Sequence, residues 1–157
     1  MIAPLQKDEA LLADIHSAGG GEECFHLWWL GQSGFLLKWD GQFLLFDPYL
    51  SDSLTRKYAE TDKPHVRMTE KVIDPQRLDF IDVVTSSHNH TDHLDAETLV
   101  PLMQMNPQLP VLVPAANREF VAARLACPET RLTTLDAGES REIAGFQFLG
   151  VPAAHEQ

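Results

Sequence analysis

The spacing of hydrophobic and polar positions in the first 46 residues predicts a short helix followed by a set of strands. Residues 5–16 have the apolar spacing of an amphipathic helix, and the glycines at 19–21 end it. Residues 25–30, 34–39 and 42–46 are short apolar runs bounded by turn residues, which is typical of strands. Asp40-Gly41 between the last two runs favours a two-residue hairpin turn. We therefore expect two or three consecutive antiparallel strands.

The second part of the chain alternates strands and helices. Residues 51–75 are polar and contain Lys63-Pro64 and Asp74-Pro75, so they predict a long irregular loop of the kind that often borders a site. Strands are predicted at 80–85, 111–113, 131–135 and 146–151, and helices at 95–105, with Asp95 as the N-cap, and at 115–126. This order predicts an α/β fold with a mixed sheet covered by helices on at least one face. Residues 1–24 form a lead-in helix and glycine-rich turn, and residues 25–157 form one domain.

Composition and charge narrow the classes of partner. The chain has 157 residues, enough for one hydrophobic core, and its formal net charge of −11 would repel a nucleic acid. No apolar run is long enough to span a bilayer, and no signal-like segment opens the chain. We expect a cytoplasmic protein that acts on a small-molecule substrate, without a nucleic-acid or membrane partner. The sequence does not decide between a monomer and a homo-oligomer.

The candidate chemistry lies just after the predicted strand at 80–85. His88, His90, Asp92 and His93 fall within six residues. In an extended chain the side chains at i and i+2 point the same way, so His88 and His90 could hold one ion. Asp92 and His93 follow as the chain turns towards the next helix, and they are placed to serve a second ion.

Two further residues are candidates for the same centre. His155 follows the last predicted strand, and with His88 and His90 it would give three nitrogen ligands and one position open for water, the pattern of a catalytic zinc. Asp47 ends the strand at 42–46 in Phe46-Asp47-Pro48. It is either an ordinary turn aspartate or an acceptor that orients a ligand histidine, and the sequence favours neither interpretation. Gly31-Gln32-Ser33-Gly34 lacks the lysine of a phosphate-binding loop.

The HxHxDH order of residues 88–93 resembles the signature of the metallo-β-lactamase superfamily. Residues 28–36, 46–49 and 151–155 resemble motifs of its branch of L-ascorbate 6-phosphate lactonase-like zinc-dependent hydrolases. The resemblance implies an αββα sandwich with a binuclear metal centre at one edge of its sheets. It also implies roles for the candidates: His88, His90 and His155 on the first metal, Asp92 and His93 on the second, and Asp47 behind them.

The resemblance further implies a second half that supplies a bridging aspartate and a final histidine. We expect these 157 residues to be the first half of the sandwich, truncated after the third histidine motif. The missing half would come from a longer chain or from a partner, or would be absent from a truncated product.

The implied activity is metal-dependent hydrolysis of an ester, lactone or phosphodiester by a metal-bound hydroxide. Asp92 would be the catalytic residue that orients the water and moves its proton. One or two zinc ions (Zn²⁺) are expected, with manganese or iron as alternatives. The alternative function is a truncated, non-catalytic metal-binding fragment or a partner-dependent assembly module. A nuclease of the same superfamily is disfavoured by the charge.

Overall fold

The first three strands form the antiparallel meander that the sequence predicts. The computed structural model describes residues 1–21 and 23–152. Phe25–Trp29 (β1) pairs with Phe35–Trp39 (β2), which pairs with Gln42–Phe46 (β3). The turn between β2 and β3 consists of Asp40 and Gly41, with φ angles of 45° and 77°. Positive φ at both positions identifies the tight hairpin turn expected for an Asp-Gly pair.

The remaining strands of this sheet run parallel to β3. Val83–Thr85 (β4) lies beside β3, followed by Val111–Pro114 (β5) and Leu132–Leu135 (β6). The sheet has six strands in the order β1-β2-β3-β4-β5-β6, antiparallel over the first three and parallel from β3 onwards. The predicted fold class, α/β with a mixed sheet, is confirmed.

The core lies on one face of this sheet. A single row of apolar side chains crosses it through paired positions of β2 to β6, and all five are buried. The row is Leu36, Leu45, Val84, Val111 and Leu132. The chain contains a helix before the sheet, Asp8–Ser17 (α1), and a short helix between β3 and β4, Ser53–Lys57 (α2). Two longer helices follow, Ala96–Met105 (α3) and Arg118–Arg124 (α4). Buried residues of α1, α3 and α4 belong to the same core cluster as this row. Helices therefore cover this face, as predicted.

The opposite face is apolar as well, but part of it is exposed. Phe25, Leu27 and Trp29 alternate along β1 and are 62%, 52% and 56% exposed. A separate hairpin, Ser140–Ile143 (β7) with Phe146–Leu149 (β8), contacts this face where Phe146 meets Trp39 at a ring-centroid distance of 6.3 Å. Within the described residues, the hairpin leaves the outer strand β1 uncovered.

Several predicted bounds are wrong, for local reasons. The first helix begins at Asp8 rather than at residue 5. The strand predicted at 80–85 is only Val83–Thr85, because residues 79 and 80 form a turn and residue 82 a bend. The predicted loop at 51–75 contains α2. The strand predicted at 146–151 ends at Leu149.

The helix predicted at 115–126 is two elements, a single 3₁₀ turn at Ala115–Asn117 and then α4. Asp95 does precede α3, but its carboxylate accepts hydrogen bonds from the side chains of Ser53 and Thr98 rather than from the backbone of the helix. Among the described residues, no helix is long and apolar enough to cross a membrane.

Candidate metal centre

Strand order brings Asp47 beside the histidine motif. Asp47 directly follows β3, and residues 86–93 follow β4. Because β3 and β4 are parallel neighbours, their carboxyl ends lie at the same edge of the sheet. Residues 40 positions apart in sequence therefore meet there, as Ser87 N donating to Asp47 Oδ1 at 2.9 Å shows. This edge is where open α/β sheets usually carry their sites.

The Asp47 carboxylate accepts four hydrogen bonds. Oδ1 accepts from Thr85 Oγ1 (2.8 Å) and from Ser87 N (2.9 Å). Oδ2 accepts from the Ser87 hydroxyl and from His93 Nδ1 (2.8 Å). A carboxylate offers about four lone-pair positions, so these donors occupy its capacity. The side chain is fixed in position and holds His93 in one orientation.

Hydrogen bonding also sets the charge states of this pair. Burial raises the pKa of Asp47, but the bonds from His93, Ser87 and Thr85 outweigh burial and bring that pKa below its ordinary value. The bond to Asp47 raises the pKa of His93, against the smaller opposing effect of burial. Asp47 is thus ionised near neutral pH, and His93 donates to it from Nδ1.

The Ser87 hydroxyl connects His88 to the same carboxylate. Ser87 Oγ donates its one proton to Asp47 Oδ2, and His88 Nδ1 lies 3.0 Å from that oxygen. Since the proton of Ser87 is used, His88 Nδ1 is the donor in this contact. Asp47 therefore orients His93 directly and His88 through Ser87, and both rings direct Nε2 away from it.

One ligand atom from each of Asp47, His88 and His93 lies within 4.8 Å of the other two. The rings of His88 and His93 are 4.1 Å apart between centroids. Burial and the neighbouring His93 and His90 lower the pKa of His88, which favours its neutral form. Neutral imidazole is the form that binds a metal ion, so the donor set fits a divalent cation.

His90 and Asp92 border this cluster. The His90 ring is exposed and lies 4.7 Å from the ring of His88 between centroids. Asp92 Oδ2 lies 3.7 Å from His93 Nε2, on the side of the ring away from Asp47. His155 lies outside the described residues.

The geometry differs from the sequence expectation at one point. The strand ends at Thr85 and the chain bends at residues 88–90, so His88 and His90 are not in extended chain. The bend continues into a turn in which the His90 carbonyl accepts from His93 N and Leu94 N (3.0 and 2.7 Å). This turn folds His93 back against His88, although the sequence placed the two on different ions. The two ions of a binuclear centre are only about 3.5–4 Å apart. Neighbouring rings of His88 and His93 are therefore compatible with binding to one ion and with binding to two adjacent ions.

Two residues that sequence reasoning missed contact the backbone of the motif. Ser33 Oγ lies 2.5 Å from the Asp92 carbonyl oxygen and 3.3 Å from that of Asp47. Arg124 Nη1 donates to the carbonyls of Asn89 (3.2 Å) and Leu94 (3.3 Å). The contact of Ser33 with Asp92 spans 59 residues of sequence, and those of Arg124 with Asn89 and Leu94 span 35 and 30. No local pattern around Ser33 or Arg124 indicates these contacts.

An open cleft of about 830 Å³ borders the centre. Ser87 and His88 line one side of it, and the ends of β5 and β6 line another through Pro114 and Leu135. Asn117 and Asp136 add polar groups. The cleft extends from these strand ends to His88.

The sequence model of the β-lactamase superfamily domain matches residues 26–157. The chain belongs to the metallo-β-lactamase superfamily. Its HxHxDH motif and its mixed sheet agree with this membership, and the predicted resemblance is confirmed.

Relatives of this metallo-β-lactamase domain include hydrolases. The chain is 34% identical over 130 residues to the Mycobacterium tuberculosis protein Rv0906, covering 81% of this chain and 33% of that protein. It is 30% identical over 132 residues to N-acyl-phosphatidylethanolamine-hydrolyzing phospholipase D 1 of Caenorhabditis elegans, covering 83% and 35%. It is 29% identical over 96 residues to the probable L-ascorbate-6-phosphate lactonase UlaG of Escherichia coli, covering 51% and 27%. The chain spans about a third of the length of these relatives.

Solved structures share the fold at lower sequence identity. CmlA, a diiron β-hydroxylase from Streptomyces venezuelae, aligns with a TM-score of 0.53 at 22% identity over 80% of this chain and 23% of its own. An isothiocyanate hydrolase from Delia radicum gut bacteria aligns with a TM-score of 0.51 at 20% identity, over 74% and 42%. These likenesses show the fold of the metallo-β-lactamase domain.

Proposed function

We propose that this chain carries the metal-binding part of a metal-dependent hydrolase that acts on an ester, a lactone or a phosphodiester. The observation that carries the proposal is the single carboxylate, Asp47, that orients both His88 and His93. Fixing the Nδ1 side of each ring leaves Nε2 as the nitrogen directed at an ion. Oriented imidazoles of this kind are usual around metal ions in proteins.

In this proposal Asp47 orients the ligands and is not one itself. Its ligand atom lies within reach of both histidines, but its four lone-pair positions already accept Thr85, Ser87 and His93. Binding an ion directly would break at least one of these bonds. His88, His90 and His155 hold the first ion, and Asp92 and His93 hold the second.

When bound, such an ion supplies Lewis acidity, which makes a coordinated water acidic near neutral pH. Zinc is the proposed metal, with manganese or iron as alternatives for a site of histidine and carboxylate. Asp92 is the proposed catalytic residue: its partly exposed carboxylate stands beside His93 Nε2, where it can orient a water and accept its proton. The cleft beside His88 admits the substrate.

The names of two relatives support an ester, a lactone or a phosphodiester as the bond that is hydrolysed. One relative hydrolyses N-acyl-phosphatidylethanolamine, and another is a probable L-ascorbate-6-phosphate lactonase. Both named substrates carry a phosphoryl group, and the second also has a lactone ring. A bound cation would offset part of the protein's negative charge for such an anion.

Metal content and turnover, measured on the same samples, test the proposal. The chain is loaded with zinc and assayed on bis(p-nitrophenyl) phosphate and on a simple lactone, together with His90→Ala. His16→Ala is the matched control, because His16 is an exposed histidine of α1 outside the motif. We expect wild type and His16→Ala to bind zinc and turn over a substrate, and His90→Ala to lose most of both. Full zinc occupancy without turnover would contradict hydrolysis by this chain and favour the alternative, a non-catalytic metal-binding fragment or a partner-dependent assembly module.

A further inference from the structure

Ser33 lies where three segments of the metal centre meet. It belongs to the turn between β1 and β2, and its hydroxyl is within hydrogen-bond distance of two main-chain carbonyls, those of Asp92 and Asp47. These carbonyls belong to the loops after β4 and after β3. One side chain therefore joins the loop that carries the histidine motif to the loop that carries the orienting carboxylate.

The turn that presents Ser33 is itself closely packed. Leu30 N donates to Gly34 O (2.8 Å) and Gly34 N to Gly31 O (3.2 Å), which closes the turn. A Cβ at Gly34 would lie 3.3 Å from Pro48 Cα, so glycine lets the turn approach the residue after Asp47. A Cβ at Gly31, whose φ is +85°, would lie 2.4 Å from Thr69 Oγ1. The turn is thus held between residue 48 on one side and residue 69 on the other.

Gln32 adds two hydrogen bonds that hold the turn in place. Its side-chain oxygen accepts from Met68 N (2.9 Å), and its carbonyl accepts from Trp29 Nε1 (3.1 Å). Together with the two glycines, these bonds fix the backbone on both sides of Ser33. The hydroxyl is accordingly presented from a rigid support, and it is the polar group of the turn that reaches both loops.

We infer that Ser33 is a positioning residue for the metal centre, which acts by fixing the main chain at Asp92 relative to the main chain at Asp47. The inference rests on the proposed function. The hydroxyl has one proton and donates it chiefly to the Asp92 carbonyl, with the Asp47 carbonyl as the longer acceptor. Ligand sites require donor positions held within about 0.5 Å, so loss of this link would loosen the site without removing a ligand.

The ordinary alternative is a turn serine that only stabilises the fold. Binding of Co²⁺, followed by its visible absorption, separates the two roles because the spectrum reports ligand geometry. We expect Ser33→Ala to weaken Co²⁺ binding about 10-fold, the lower end of the usual effect of residues that support metal ligands, and to change the absorption bands. Ser33→Thr keeps the hydroxyl and should restore affinity to within about threefold of wild type, because a small volume change at a partly exposed site usually has little effect.

Two controls isolate positioning from stability. Ser17→Ala removes a hydroxyl that also donates to a backbone carbonyl, that of Asp14, on α1 away from the site. Val121→Ala removes methyl groups from the buried side of α4 and lowers the free energy of unfolding. At a temperature where every variant is folded, both should bind Co²⁺ with the wild-type affinity and spectrum.

The outcomes separate this inference from the proposed function. Wild-type affinity and spectrum in Ser33→Ala would overturn the positioning role and leave the metal site intact. Failure of the wild type to bind Co²⁺ would overturn the proposed function, and hydrogen exchange in the metal-free protein would then decide the role of Ser33. Faster exchange in Ser33→Ala at amides of residues 47–50 and 86–94, with the rest of the sheet unchanged, supports positioning. Equal exchange in both proteins contradicts it.

Discussion

At the scale of single residues, the candidate centre depends on how one carboxylate distributes its hydrogen bonds. Asp47 is 8% exposed, and its φ of 38° lies in the left-handed region, which aspartate adopts more readily than most non-glycine residues. The sequence left Asp47 as either a turn residue or an orienting acceptor. The bonds to His93 and Ser87 have the geometry that the second interpretation requires.

Asp47→Ala should weaken zinc binding about 10- to 100-fold, because His93 and His88 lose the group that orients them. It should also destabilise the metal-free protein by about 1–3 kcal/mol, since buried donors lose their acceptor. Chelator competition and thermal unfolding measure the two effects. Asp82→Ala is the matched control: Asp82 also accepts a backbone hydrogen bond, from Phe43, but at the other end of the sheet. Equal zinc affinity in both variants would contradict the role of Asp47.

Ser87→Ala tests the indirect link to His88. Removing the hydroxyl breaks the path from His88 Nδ1 to Asp47 but leaves the bond from His93 in place. We expect a smaller loss of zinc affinity than in Asp47→Ala, about 3- to 10-fold, the range between a supporting residue and no effect. The same chelator competition measures it. A loss as large as that of Asp47→Ala would contradict a separate contribution of the Asp47–His93 hydrogen bond to zinc affinity.

At the scale of secondary-structure elements, the sequence predicted the sheet better than it predicted the site. Short apolar runs and the Asp40-Gly41 pair were sufficient for the meander, because the two-residue turn fixes the register of the hairpin between β2 and β3. The hairpin strand Ser140–Ile143 was missed, since its residues are mostly polar and exposed. Contacts such as Ser33 with Asp92 depend on tertiary packing, which no local pattern contains.

Arg124 connects α4 to the histidine motif and gives a prediction at this scale. Its guanidinium donates to carbonyls at both ends of the segment from Asn89 to Leu94. Arg124→Ala should accelerate amide exchange across this segment and lower zinc affinity by about 3- to 10-fold. This is less than the usual effect of a residue that contacts a ligand side chain, because Arg124 contacts only the main chain of the segment. Arg118→Ala is the control, because Arg118 lies on the same helix and donates instead to the Glu129 carbonyl. Identical exchange in the two variants would contradict a supporting role for Arg124.

At the scale of the whole molecule, the sheet presents one covered and one partly open face. The open face carries Phe25, Leu27 and Trp29, and exposed apolar patches promote association. We expect this chain to self-associate as its concentration rises, and Leu27→Glu to reduce association. Sedimentation velocity over a concentration series measures this. Met105→Glu is the control, because Met105 is 48% exposed but lies at the end of α3 on the helical side. A monomeric wild type at all concentrations would contradict this expectation.

X-ray absorption at the zinc edge of the zinc-loaded chain tests the metal centre most directly. We expect scattering from at least two imidazole rings, with zinc–nitrogen distances of about 2.0–2.1 Å. This imidazole signal should be strongly reduced in the double variant His88→Ala/His93→Ala and unchanged in His16→Ala. A spectrum that contains only oxygen neighbours, or one that is the same in the double variant, would contradict a metal centre built on His88 and His93.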